Sequence, residues 1–262
     1  MVVFYYLRDV IVWSWQLLWA LLGPFLLTAF LMQWFSNLLR SGFMKLFGLP
    51  AFVFILAPGV MIHELGHALF CFPFGHRIVE MKLFSPQADG TLGWVNHAYN
   101  PNSFRALIGN FFIGTGPVWL GLAALYSITR WLLPVENFDM QGLPLYEAST
   151  GFLKEVVLSK DAFGWRWFLW VYLAFAIGAN ITLSAPDIDG ACFGFGVIVT
   201  CLLVVCLVSG WYHSWPSQAA QAIHQFTDSF FPMVLTVLAI IGVASFCFWC
   251  CASLLVTLKR RA

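Results

Sequence analysis

Three ionisable side chains, His63, Glu64 and His67, stand in LAPGVMIHELGHALFCFPFG, residues 56–75, where almost every neighbour is apolar. Residues four apart on a helix share one face, with Cβ atoms about 6 Å apart, so two imidazoles at 63 and 67 converge on one point. Glu64 follows His63 directly, which sets its carboxylate beside that point. This is the His-Glu-x-x-His arrangement, in which two histidines hold zinc and the glutamate is general base to a bound water. With six histidines and five glutamates in 262 residues, chance yields that order in about three chains per thousand.

A charge at the centre of a bilayer costs about 2.5 to 3.5 kcal/mol, and no Lys or Arg lies in residues 50–73 to neutralise Glu64. Structural zinc contributes on the order of 10 kcal/mol in favourable peptides, enough to offset such a cost. Zn2+ is therefore the expected cofactor. A catalytic zinc takes three protein ligands and keeps one open position. The other carboxylates embedded among apolar runs are Asp187 and Asp189, in ANITLSAPDIDGACFGFG. Positions two apart on a helix differ by about 200°, so one of the two aspartates faces the metal. The other is then a helix-start residue favoured by the dipole. Both assignments stay open at this point.

The elements that must position these residues are apolar. Of the residues, 61% are hydrophobic and 10% charged, with a net charge of +1, against roughly 25% charged in a soluble domain. The composition implies an integral membrane protein, and the weak field gives nucleic acid no footing. Apolar runs at about 10–35, 50–73, 104–131, 165–184, 190–212 and 229–258 suggest six transmembrane helices in one domain spanning residues 1–262, an all-α polytopic class. The first run continues well past the length of a signal-peptide core, so a retained helix is expected. Even crossings place both termini on one side, and Lys259, Arg260 and Arg261 favour the cytoplasm for it. Polar segments at 78–103, 134–163 and 212–229 lie between the runs. In the first, two strand-like stretches flank Ala88-Asp89-Gly90, the signal of a short membrane-surface β-hairpin.

HELGH in a membrane span, followed over a hundred residues later by a Pro-containing turn ending in Asp-Gly, resembles the intramembrane zinc metalloproteases of the site-2 protease type. The likeness covers residues 58–75, the Gly-rich IGNFFIGTGPVWLG and residues 180–196, about a third of the chain. It implies His63 and His67 as ligands, Glu64 as base, the Asp187/Asp189 turn as source of the third ligand, and a peptide or membrane-protein substrate cleaved in or beside the bilayer. The chain departs from that family in having no segment long enough for a PDZ domain and no Asn-x-x-Pro spacing, although Asn180 is nearby.

Other residues carry smaller expectations. Asn110 is a candidate substrate contact, with an interhelical hydrogen bond as the plainer role. His76, His97, His213 and His224 read as surface histidines. The seven cysteines read as small buried hydrophobes without disulfides. Two rival classes remain: a membrane zincin with Glu147 or Glu155 as third ligand, and a metal transporter or metal-binding structural protein. The latter lacks a file of polar groups across the membrane.

Overall fold

The computed structural model describes residues 2–133, 147, 150, 151, 154, 163–209 and 215–259. Most of the polar segment 134–163, with Glu155, lies outside them. The described chain is mostly helical: α1 (Val2–Leu46), α2 (Gly48–Ile55), α3 (Ala57–Phe74), α4 (Phe104–Gly114), α5 (Gly116–Leu132), α6 (Trp165–Gly178), α7 (Ala185–Ser209) and α8 (Trp215–Lys259). One antiparallel pair, β1 (Arg77–Lys82) and β2 (Trp94–Ala98), follows α3.

Local chemistry sets the breaks. Gly48 at φ 76° separates α1 from α2, a left-handed conformation that costs glycine little. Pro58 sits in the first turn of α3, where its missing N–H is no loss. Gly75 closes α3 in the left-handed conformation, and the His76 N–H donates to the Cys71 carbonyl at 2.9 Å, which satisfies an orphan acceptor of the last turn. The hairpin expected around Ala88-Asp89-Gly90 is present. Its register runs from Arg77 opposite Ala98 to Lys82 opposite Trp94, with an irregularity between Ile78 and Glu80.

The six expected crossings are not what the helices support. Among the described residues two helical stretches, Ala185–Val208 and Val237–Leu258, are long and apolar enough to span a membrane. The α4–α5 pair, bent by 54°, makes a third if it is one broken span. An apolar run is not one helix. The run at 50–73 is divided at Leu56 between α2 and α3, and α6, with 14 residues, reaches only about 21 Å against a hydrocarbon core of about 30 Å. The expected polar loop before the last run is helical from Trp215 onward, as part of α8. Exposed Phe193, Val204 and Val208 on α7 and Leu254 and Leu258 on α8 form apolar faces suited to lipid. All seven cysteines are free, and only Cys71 and Cys206 are buried, so the rest contradict the reading as core residues.

The central core joins α1, α5, α6 and α8 through Met32, Leu122, Leu125, Trp170, Ile177 and Ile241. Trp170 donates its indole N–H to Thr129 Oγ1 at 2.9 Å, so the largest buried side chain leaves no polar atom unpaired. α1 and α8 run side by side in the same direction: Gly242 abuts Phe35, Phe248 packs on Phe43, and Ser253 accepts from Lys45. Where both cross a membrane, this parallel pairing puts the two chain ends on opposite sides. It lends no support to the arrangement with both termini on one face, which needs antiparallel first and last helices.

α3 is gripped by close backbone approach. A Cβ at Gly66 would lie 2.7 Å from the Gly116 carbonyl and from the Pro117 nitrogen, so α3 and α5 meet through small residues. Gly66→Ala gains about 1 kcal/mol of helix propensity but overpacks rigid backbone at about 1 to 3 kcal/mol. A net loss of thermal stability in detergent is expected, where the same change on an exposed helix face would stabilise.

Candidate metal centre

The metal-competent cluster is made by one face of α3 and the first turn of α7. His63 and His67 stand one turn apart, His67 and Glu64 are buried, and His63 is half-buried. Each imidazole contacts a backbone carbonyl through Nδ1: His63 with Asn180 O at 2.9 Å, His67 with Ile113 O at 2.8 Å. A carbonyl oxygen only accepts, so both Nδ1 atoms carry the proton and both Nε2 atoms present lone pairs. Such outer contacts orient and polarise metal-binding histidines.

These two carbonyls are available because helices break. The helical partner of Ile113 O would be the N–H of residue 117, and Pro117 has none. Asn180 lies past the end of α6, and the amide of Ser184, four residues on, instead donates to Asp187 Oδ2 at 2.7 Å. The 54° bend between α4 and α5 and the turn before α7 thus each expose one acceptor to one histidine.

The Nε2 atoms of His63 and His67 are 3.3 Å apart, and His67 Nε2 is 3.4 Å from Asp187 Oδ1. Two lone-pair nitrogens at that distance repel unless a cation or proton lies between them. A tetrahedral zinc with ligands at about 2.0–2.2 Å sets neighbouring donor atoms about 3.3–3.5 Å apart, which the observed spacings meet. A direct charged hydrogen bond is shorter, about 2.7–2.9 Å. His63, His67 and Asp187 offer one ligand atom each within 4.8 Å of one another. The donor set therefore fits a zinc ion with a fourth position open.

Asp187 does two jobs. Its Oδ2 accepts from the Ser184 amide and from Ser184 Oγ at 2.6 Å, and the Asp187 amide returns a bond to Ser184 Oγ at 3.4 Å. This reciprocal Ser-x-x-Asp cap starts α7 and fixes the carboxylate, leaving Oδ1 turned to His67. Asp189, two residues on, is exposed and is not brought to the imidazoles. Glu147 is exposed and outside the cluster. α4 and α7 are in direct backbone contact here: a Cβ at Gly114 would lie 2.5 Å from the Asp187 carbonyl oxygen. From α1, Gln33 Oε1 accepts the Leu183 amide at 3.1 Å and Ser36 Oγ donates to the Ala179 carbonyl, so α1 clamps the turn.

The cluster opens on a cleft of about 710 Å³, walled by α3, the buried Asn110 of α4, the turn before α7, and Trp94 to His97 of β2. Glu64 lines it beside the histidines, under the hairpin, since a Cβ at Gly93 would meet Glu64 Cγ at 2.7 Å. Arg40 of α1 lines it too, a cation that counting charges within one apolar run does not find. His76 and His97 are not the surface residues expected. His76 is buried, paired to His97 at 3.0 Å and stacked on Tyr99. The hairpin register held the signal, because continuing the Arg77–Ala98 pairing outward sets position 76 opposite 99.

Asp187→Ala removes a candidate ligand and a cap, Asp189→Ala neither. Zinc retained after challenge with a chelator, measured by elemental analysis, is expected to fall more than about 100-fold in affinity for Asp187→Ala, beyond the loss typical of an outer contact. It should be unchanged for Asp189→Ala.

No protein-family model, curated protein or solved structure matches this chain.

Proposed function

We propose that the protein is a multi-pass membrane zinc endopeptidase of the site-2 protease type, acting on membrane-embedded or membrane-proximal polypeptides, in a bacterial cytoplasmic membrane. The observation that carries the reading is the convergence of two Nε2 lone pairs and Asp187 Oδ1 at ligand spacing, with the Glu64 carboxylate in the same cleft. His63, His67 and Asp187 would hold the ion. When bound, zinc lowers the pKa of water and polarises a carbonyl oxygen.

The chain's own residues supply the rest. Glu64 accepts a proton from the attacking water and returns it to the departing amine nitrogen. Its burial beneath Gly93 keeps it out of bulk solvent. A substrate helix must unwind before its carbonyls are open to attack, since they are otherwise bonded within the helix. β2 forms one wall of the cleft, and an extended peptide beside it gains main-chain hydrogen bonds of the kind a helix gives up. Asn110, which also lines the cleft, would meet a substrate amide.

Glu64→Gln keeps the size and removes the base. Zinc stoichiometry is expected to stay at wild-type level while cleavage of a membrane-protein substrate in proteoliposomes drops by about 10² to 10⁴ or more. A transit site for metal would give the opposite pattern, with altered metal binding or flux. Purified wild-type protein without stoichiometric zinc would end the proposal.

A further inference from the structure

A second pair of imidazoles borders the cleft outside the ligand cluster. His97 of β2 is part of the cleft wall, and His76, at the end of α3, is buried behind it. Their Nδ1 atoms stand 3.0 Å apart, and His76 Nε2 lies 3.0 Å from the Ala106 carbonyl oxygen. That oxygen only accepts, so His76 Nε2 carries a proton, and in the neutral ring Nδ1 is the lone-pair nitrogen. The hydrogen in the contact between the rings therefore belongs to His97 Nδ1. Neutral His97 is left with a bare Nε2, on the ring edge away from His76.

The orientation is held by packing. Tyr99 stacks on His76 with centroids 4.6 Å apart, and the backbone of Gly109 approaches so closely that a Cβ there would sit 3.1 Å from His76 Nε2. Among the described residues, the group whose ligand atoms lie within 4.8 Å of one another consists of His63, His67 and Asp187, and His97 stands outside it. His97 faces His76 and, further off, His67 of α3, with apolar Ile78 opposite on β1. Burial, then these two imidazoles, lower its pKa from 6.5. A proton added at His97 Nε2 leaves both hydrogen bonds of the pair intact, because Nδ1 still donates to His76 and His76 still donates to Ala106.

We propose that His97 is a second proton carrier of the peptidase site, with His76 as its positioning residue; this rests on the endopeptidase reading above. Hydrolysis of RCONHR′ by water must place both water protons on the departing nitrogen. Glu64 moves the first, and the C–N bond breaks to give RCOOH and R′NH2. The carboxylic proton passes to His97 Nε2, leaving RCOO⁻ and an imidazolium. The imidazolium then gives that proton to R′NH2, forming R′NH3⁺ and restoring neutral His97. Atoms and charge balance, and Glu64 and His97 end as they began.

His97→Asn keeps an amide donor in place of Nδ1 and removes Nε2. The variant is expected to bind zinc and melt as wild type does, to cleave a peptide substrate about 100-fold more slowly in kcat, and to lose an acid limb whose midpoint lies below 6.5. Nitrogen-15 NMR of histidine-labelled wild-type protein at neutral pH should show His97 protonated at Nδ1 and bare at Nε2, and His76→Ala should mix the two tautomers. Wild-type kcat and an unchanged pH profile in His97→Asn would overturn the inference, as would a proton on Nε2 in the resting protein. Cleavage abolished by Glu64→Gln but untouched by His97→Asn would sink this inference alone. A wild-type protein that cleaves nothing would sink both readings.

Discussion

The site depends on two backbone carbonyls that have no helical partner. A histidine offers a lone pair at Nε2 only if its proton is held at Nδ1, and in an apolar helical bundle nearly every carbonyl is already engaged. Ile113 O is released by Pro117, and Asn180 O by the end of α6, and each takes the proton of one imidazole. The breaks in the bundle are thus part of the site's chemistry. A continuous α4–α5 helix would consume the carbonyl that orients His67.

Packing makes those breaks affordable. Irregular backbone in an apolar surround needs its polar groups met from elsewhere, and here α1 supplies Gln33 and Ser36 to the 179–183 turn while Ser184 and Asp187 close each other's bonds. The parallel α1–α8 pair and the Trp170 core stand behind the turn as apolar support. Polar groups gather on the inner cleft, and apolar side chains of α7 and α8 face outward, the division a membrane protein requires.

Much of the site was legible in residue spacing, and much of the architecture was not. The His63–His67 interval fixes a shared helix face because helical pitch is local, and Ala88-Asp89-Gly90 marks a chain reversal between two strands. Apolar runs, by contrast, report only the average solvent. They do not show that Leu56 divides one run, that Trp215 onward is helical, or that α8 lies parallel to α1. Single positions also hid their partners: His76 and His97 look like surface residues until the hairpin folds one behind the other, and Arg40 reaches the cleft from a helix over twenty residues upstream of Glu64.

What the sequence determined by itself is the local half of the centre: two imidazoles on one face, a carboxylate beside them, and an aspartate-bearing turn at the start of a later helix. Asp187 and Asp189 were equal in sequence because either can follow a helix start, and about 200° of rotation separates them. Only the tertiary structure chose between them. The contact of Gly114 with the backbone of α7 and the reciprocal bonds of Ser184 set the rotation of that helix, and the rotation aims Asp187 Oδ1 at His67 and leaves Asp189 exposed.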